Sequence, residues 1–294
     1  MDGNNDLCTL RDLATTAGGS PDTVDRLLEL LIPAGAIVDR DAIPDDDGPL
    51  RQSLPDRVSL SLLDRSLDGG GTAFARRGQR RITIHGAGRV GASVARLLDA
   101  GGIGDVHVDD QELVTHADVS PGGHPADGVG IARDRSLHRF LDDGPAAQDS
   151  TPPETDFAVI DSAVCAEHPH HTGAYVRAGV AHLLVKVTEV TGIVGPLVVP
   201  GESACVRCLD LHRTDRDHAW PMMLDQAGRY PPEMPACDAS LSAAVAGLAA
   251  GQVLAYLDGY DVSALNGTIE LELPYGLPRR RSWQPHPDCG CTWQ

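Results

Sequence analysis

Lysine is almost missing from this chain: it occurs once in 294 residues, at Lys186. Cations are scarce as a class, with 24 lysines and arginines against 42 acids, for a formal charge of −18 and a pI near 4.9. That balance argues against a nucleic-acid backbone or an anionic membrane surface as partner, because both need clustered cations. No unbroken apolar run reaches membrane-spanning length. The nearest, Leu241 to Leu257, is rich in alanine and glycine and broken by Ser242 and Gln252, so it reads as a buried helix. The first residues, MDGNNDLCTL, lack a basic segment followed by an apolar one, so no secretory signal is read and a cytoplasmic protein is expected. Seven cysteines is an odd number for a disulfide framework, and their spacing suits a metal better.

Four of those cysteines form two doublets, Cys205-Val206-Arg207-Cys208 and, far downstream, Cys289-Gly290-Cys291. Zn²⁺ takes four thiolates in a tetrahedron, and each short doublet can supply two corners. The alternative is four unpaired core thiols. Zinc is the stronger reading, although Cys-Gly-Cys is tighter than the usual two-residue spacer.

Ahead of the doublets, Arg81 to His85 reads as a strand, Gly86-Ala87-Gly88-Arg89-Val90-Gly91 as a glycine loop, and Ala92 to Ala100 as a helix. Val106 to Val108 is a second strand, ending in Asp109-Asp110. Strand, glycine loop, helix, strand and acid make a nucleotide-binding βαβ unit: the glycines bring backbone close to a phosphate, and the acid meets a ribose. Phe157 to Ile160 and His182 to Val187 add buried strands. The expected class is α/β, a doubly wound parallel sheet flanked by helices.

Residues 1–41 form a separate small helical unit, with Thr9 opening one helix and Ser20-Pro21 a second. Ala36-Ile37-Val38 then reads as a strand, so the unit resembles part of a winged helix or serves as a plain helical cap. Residues 42–72 read as a linker, within which Val58 to Leu63 fits a helix or a strand. The large domain is expected over 73–294.

The stretch Gly102 to Val119 resembles, without a gap, the segment after the first helix in the ThiF/MoeB/ubiquitin-activating-enzyme superfamily, whose members also carry a late zinc knot. Residues 189–221 are similar to one branch, the actinobacterial ThiF-like proteins of azole and azoline peptide biosynthesis, partners of YcaO cyclodehydratases. The resemblance implies adenylation of a carboxylate with Mg-ATP, structural Zn²⁺ on Cys205, Cys208, Cys289 and Cys291, and a homodimer. It maps nucleotide binding onto Gly86, Gly88, Gly91, Asp110 and Glu112, and the phosphate-binding lysine onto Arg133. Two expected groups are missing. The phosphate-binding arginine falls on Pro121, after Asp118 in place of an asparagine, and the magnesium-associated aspartate falls on Val164, with Asp161 as a shifted substitute.

Removing one preorganised charge from a transition state costs roughly 3–4 kcal/mol, so losing both leaves little rate. No residue is therefore assigned a catalytic role. The resemblance implies a non-catalytic partner that binds a precursor peptide and docks on a YcaO enzyme, with ATP bound weakly. The alternative is a working adenylyltransferase acting on a peptide or carrier-protein C-terminus. Three further features stay open. Cys165, His168, His170 and His171 read as a metal cluster or a polar loop; Cys237 as a thioester nucleophile or a core thiol; Arg76, Arg77, Arg80 and Arg81 as an acidic-peptide contact or a solvated edge.

Overall fold

The computed structural model describes residues 4–42, 53–141, 155–162, 169–229 and 236–292. It divides into two compact units, Met1–Gly78 and Gln79–Gln294.

In the first unit, α1 (Leu7–Thr16) starts where the Asp6 side chain accepts the Thr9 backbone N–H at 2.8 Å. Helix α2 (Pro21–Leu31) starts on Ser20, with Pro21 preset for the first helical position. Arg11 on α1 meets Asp25 on α2 at 2.7 Å, and α2 turns Val24 inward. Ala36–Val38, expected as a strand, forms none, and this unit has no strand among the described residues. Three residues without a partner strand cannot satisfy a ladder, so the sheet of a winged helix is lacking there. The stretch expected as a linker carries α3 (Leu54–Asp64) and the start of α4 (Gly71–Arg77). The ambiguous run is therefore helical. It buries Leu60, 1% exposed, and leaves Val58, Leu62 and Leu63 exposed.

The second unit is one seven-stranded sheet in the order β2-β1-β3-β4-β5-β6-β7. Its first four strands in chain order are β1 (Arg81–His85), β2 (Asp105–Asp109), β3 (Phe157–Ser162) and β4 (Ala181–Thr188). These run parallel, with His85 beside both Asp109 and Ile160. The parallel sheet is extended by three antiparallel strands that the sequence pattern did not separate: β5 (Thr191–Val198), β6 (Gly267–Glu272) and β7 (Arg279–Ser282). Helices α5 (Gly91–Ala100), α6 (Arg133–His138) and α7 (Pro169–Ala178) sit in the parallel half of the chain; α8 (Val206–Arg216), α9 (Trp220–Arg229) and α10 (Ala239–Leu257) follow β5.

By length and composition alone α10 could cross a membrane. Its packing is that of a core helix, for Leu241, Val245, Ala246, Ala249, Ala250 and Val253 are at most 4% exposed and join the main apolar core. Ile82, Ile84, Val106 and Val108 enter the same core from β1 and β2, as period-two alternation requires. The arginines at the domain border are paired within their own units: Arg76 with Asp64, Arg80 with Asp156, and Arg81 with Asp105. Arg77 is buried. The solvated-edge reading thus loses Arg77 and gains ion pairs for the other three.

Candidate functional site

The C-terminal ends of β1, β2 and β3 converge on the glycine loop, the place where an open α/β sheet offers its ligand crevice. Gly86 has φ +82°, and a Cβ there would lie 2.4 Å from the Asp161 carbonyl oxygen. A Cβ on Gly91 would lie 2.1 Å from the Gly86 carbonyl and 3.0 Å from Asp161 Oδ2. Both positions admit only glycine. The obstacles are main-chain carbonyls, that of Asp161 at Gly86 and that of Gly86 at Gly91; the Asp161 carboxylate, at the end of β3, accepts the Gly91 N–H at 2.8 Å. Gly91 opens α5, so this carboxylate lies at a helix N-terminus, where such folds favour a phosphate.

Three more carboxylates gather beside it. Asp110 Oδ2 accepts the Ala87 N–H at 2.7 Å. Arg133, at the start of α6, gives Nη1 to Asp110 at 3.1 Å and to Glu112 at 2.7 Å, and Nη2 to both oxygens of Asp118 at 3.1 and 3.2 Å. Burial opposes the Arg133 charge, but Asp118 and Asp110 outweigh it and raise its pKa. Asp118 goes down: burial works against its charge, and the Thr115 hydrogen bonds with Arg133 overcome it. Asp161 goes the other way. Burial is the largest cause, Asp110 and Asp118 repel its charge, and its pKa rises from 3.8 to about 7.

A second guanidinium is also committed. Arg89, inside the loop, donates Nη1 to the Cys237 carbonyl at 2.6 Å and Nη2 to the Val119 carbonyl at 3.1 Å. His124, which the sequence reading did not single out, holds the loop from below. It is fully buried, with Nε2 at 2.7 Å from the Ala87 carbonyl and Nδ1 at 3.0 Å from Ser136 Oγ. A carbonyl only accepts, so Nε2 carries the proton, and burial keeps the ring neutral by lowering its pKa. No spacing or motif marks His124; only the fold brings it under Ala87.

These residues do not fit a magnesium triphosphate as they stand. Four carboxylates face two guanidiniums that already hold other groups, and like charge repels phosphate strongly in a partly buried site. Among the described residues, the acids at the loop do not form a ligand cluster of metal-binding dimensions. Pro121 is exposed and has no cation to offer. Val164, Cys165 and His168 lie outside the described residues, as do the side chains of His170 and His171. Cys237 is partly buried against the main core, and burial chiefly raises its thiol pKa, opposite to what an activated nucleophile needs.

The second site is the cysteine knot. Cys205 is the N-cap of α8 and Cys208 lies in its first turn, so helical geometry brings them together. Gly290, at φ +76°, turns the chain sharply enough for Cys289 and Cys291 to face the same pair despite the one-residue spacer. Sulfur separations are 3.8 Å for Cys205–Cys208, 3.5 Å for Cys205–Cys289 and 3.3 Å for Cys208–Cys291. Four sulfurs about 2.3 Å from one zinc would sit roughly 3.8 Å apart, so the donor set fits a tetrahedral ion. Val198, Ala204, Leu209 and Trp283 pack around it. The thiols' crowding also shows in their acidity: the Cys205–Cys208 hydrogen bond raises the pKa of the first and lowers that of the second.

His212, Asp215 and His286 form another close group, but their protons point the wrong way for a metal. The Asp288 N–H donates to His286 Nδ1 at 3.1 Å, so Nε2 carries the hydrogen that meets Asp215 at 2.9 Å. His212 Nε2 faces the Gln284 carbonyl at 2.9 Å and is likewise protonated. Of the three, His286 lies beside the knot, its main-chain carbonyl accepting the Cys289 N–H at 3.0 Å.

No protein-family model matches the chain, and no curated protein matches it in sequence. Solved structures do match. E. coli MccB with ATP superposes at a TM-score of 0.67 and 18% identity, over 98% of this chain and 85% of that one. E. coli MccB with AMPCPP and MccA gives 0.66 and 18%, over 93% and 81%. PaaA gives 0.65 and 14%, over 89% and 91%. The chain shares the fold of these structures. At these identities the likeness speaks for architecture, and the chemistry rests on the residues above.

Two outcomes are expected. Purified protein should hold about one zinc per chain, and Cys208→Ser should lower both the metal content and the melting temperature, as loss of a structural site does. Elemental analysis finding much less than one zinc rejects the knot. Asp161 binds a proton more tightly folded than unfolded, so its contribution to stability falls as pH rises from about 4 to about 7. Relative to Asp161→Asn, the wild type should lose about 1–4 kcal/mol over that window in urea titrations. A constant difference across pH would show that Asp161 ionises normally.

Proposed function

We propose that this protein is a ThiF-fold, peptide-binding partner of a YcaO cyclodehydratase in azole or azoline peptide biosynthesis, and that it does not itself adenylate. The observation that carries this reading is the state of Arg133. The only cation that the family resemblance assigns to phosphate within the described residues is held by Asp110, Glu112 and Asp118. An incoming triphosphate has to outcompete three carboxylates for it, and Asp161 stands on the Gly91 N–H as well. Electrostatic preorganisation for phosphoryl chemistry requires the reverse, open donors and cations aimed at the developing charge. In this reading Gly86, Gly88, Gly91, Asp110 and Glu112 retain at most weak ATP binding, and zinc on the four cysteines is structural. A peptide as the partner is supported by the MccB neighbours solved with MccA. A homodimer is part of the same reading.

The second reading is an adenylyltransferase that activates a peptide carboxylate. It is favoured by the likeness to MccB structures carrying ATP and AMPCPP and by the strict glycine geometry at 86 and 91.

Pyrophosphate exchange separates the two. The purified protein should show none, with or without a neighbouring precursor peptide, while raising the rate of its cognate YcaO enzyme on that peptide. Robust exchange that Asp110→Ala abolishes would promote the adenylyltransferase. Light scattering at micromolar concentration should return a dimer mass; a monomer would reject that part of the proposal.

A further inference from the structure

Parallel pairing of β1 with β2 sets His85 directly beside Asp109, each the last residue of its strand. Ile84 and Val108, one residue earlier, point into the main core. Period-two alternation therefore turns His85 and Asp109 to the opposite face of the sheet. There α7 brings Tyr175, whose ring packs against Ile160, Leu184 and Val206. The three residues border the glycine-loop crevice, since Gly86 follows His85 and Asp110 follows Asp109. None of them belongs to the Arg133 network.

Their hydrogen bonds run in one direction. Asp109 Oδ2 lies 2.9 Å from His85 Nδ1. A carboxylate only accepts, so in the neutral ring Nδ1 carries the proton and Nε2 keeps its lone pair. The Tyr175 hydroxyl meets that Nε2, so the phenol donates and the imidazole accepts. Ring packing holds the phenol in place: the His85 and Tyr175 centroids are 5.5 Å apart, and the fully buried His182 packs its ring 5.6 Å from that of Tyr175. The outer end is open, with the His85 side chain 31% exposed and that of Asp109 56% exposed. Burial, with the Asp109 charge behind it, raises the Tyr175 pKa. The phenol therefore keeps its proton until a base takes it, and a base is already in contact.

Hydroxyl, imidazole and carboxylate in this order are the parts of a base-activated nucleophile. We propose that Tyr175 is such a nucleophile and accepts an acyl group from an activated ester, with His85 as its base and Asp109 orienting His85. Tyr175 Oη attacks the carbonyl carbon, its proton passes to His85 Nε2, and Asp109 stabilises the imidazolium. As the tetrahedral adduct collapses, the C–O bond to the leaving group breaks and His85 returns the proton to the departing oxygen. The products are O-acyl-tyrosine and an alcohol, and the balance needs no oxidant, reductant or further co-reactant. Charge selects an acyl donor over a phosphoryl donor: Asp109 and a chain of net charge −18 repel a polyanion, and a neutral carbonyl meets no such barrier. Acyl acceptance at Tyr175 requires neither adenylation nor a YcaO partner, so it goes beyond both readings of the function.

The test treats the full chain with p-nitrophenyl acetate, a small neutral acyl donor, and follows acetylation residue by residue by peptide mass mapping. Tyr275, 79% exposed, is the internal reference, a more accessible phenol outside the relay. Tyr175 should be acetylated about ten-fold or more faster than Tyr275. His85→Gln and Asp109→Asn should each slow Tyr175 by about ten-fold or more and leave Tyr275 unchanged. Acetylation of Tyr175 no faster than that of Tyr275 overturns the proposal. That comparison is made within the wild-type protein, so it holds even where a variant fails to fold. A folded His85→Gln protein that keeps the wild-type rate at Tyr175 overturns it as well, because the contact would then be structural only.

Discussion

Arg133 holds the glycine-loop region together, and it does so by being surrounded. Its two terminal nitrogens reach Asp110 just after β2, Glu112 two residues on, and Asp118 in the following turn. Asp110 in turn accepts the Ala87 N–H of the loop, and His124 holds the Ala87 carbonyl from the other side. One guanidinium therefore ties α6, the end of β2 and the glycine loop into a single polar network. Such a network is worth most when every member is satisfied, because a buried charge left alone costs several kcal/mol. The same logic makes the arginine a poor phosphate ligand. To meet a triphosphate it must abandon carboxylates that would then repel one another and the ligand. Under the proposed reading, structure and phosphate binding compete for this one side chain, and its present hydrogen bonds favour structure.

Asp161 adds a second constraint of the same kind. Its main-chain carbonyl excludes a side chain at 86, the Gly86 carbonyl excludes one at 91, and its carboxylate holds the Gly91 N–H. A glycine loop is usually read as evidence of nucleotide. In this chain the close approaches that the glycines permit are made by the main-chain carbonyls of Asp161 and Gly86. The motif records a need for space and does not say what fills it.

That distinction explains what the sequence made legible. Arg81–His85, the loop, α5 and β2 were readable because strand, turn and helix there follow in one short segment, each with its own local signal. The knot was readable because metal geometry fixes the spacing of its ligands, and Gly290 accounts for the tight second doublet. The role of Arg133 was not. Position suggested a phosphate cation, and its partners come from residues fifteen to twenty-three positions away. His124 was invisible for the same reason. In the first unit, Val58 to Leu63 satisfied two periodicities at once, and burial of Leu60 in a helix decided between them. Ala36–Val38 had strand-like residues without a strand to pair with.

Charge distinguishes two regions of this unit. Around the glycine loop, acids outnumber the cations, and a polyanion meets repulsion. Next to the cysteine knot lies a second, arginine-bearing face, where Arg213, Arg216 and Arg281 lie over Trp220 and Trp283. The knot contributes to that second face mechanically: Cys205 and Cys208 fix the start of α8, and Cys289 and Cys291 anchor the segment after β7. Arg213 and Arg216 project from the same α8, and Arg281 and Trp283 sit on the strand and residue that lead into the second doublet. The Arg133 network and the cysteine knot thus hold two different parts of the same unit, one through carboxylates and the other through sulfur.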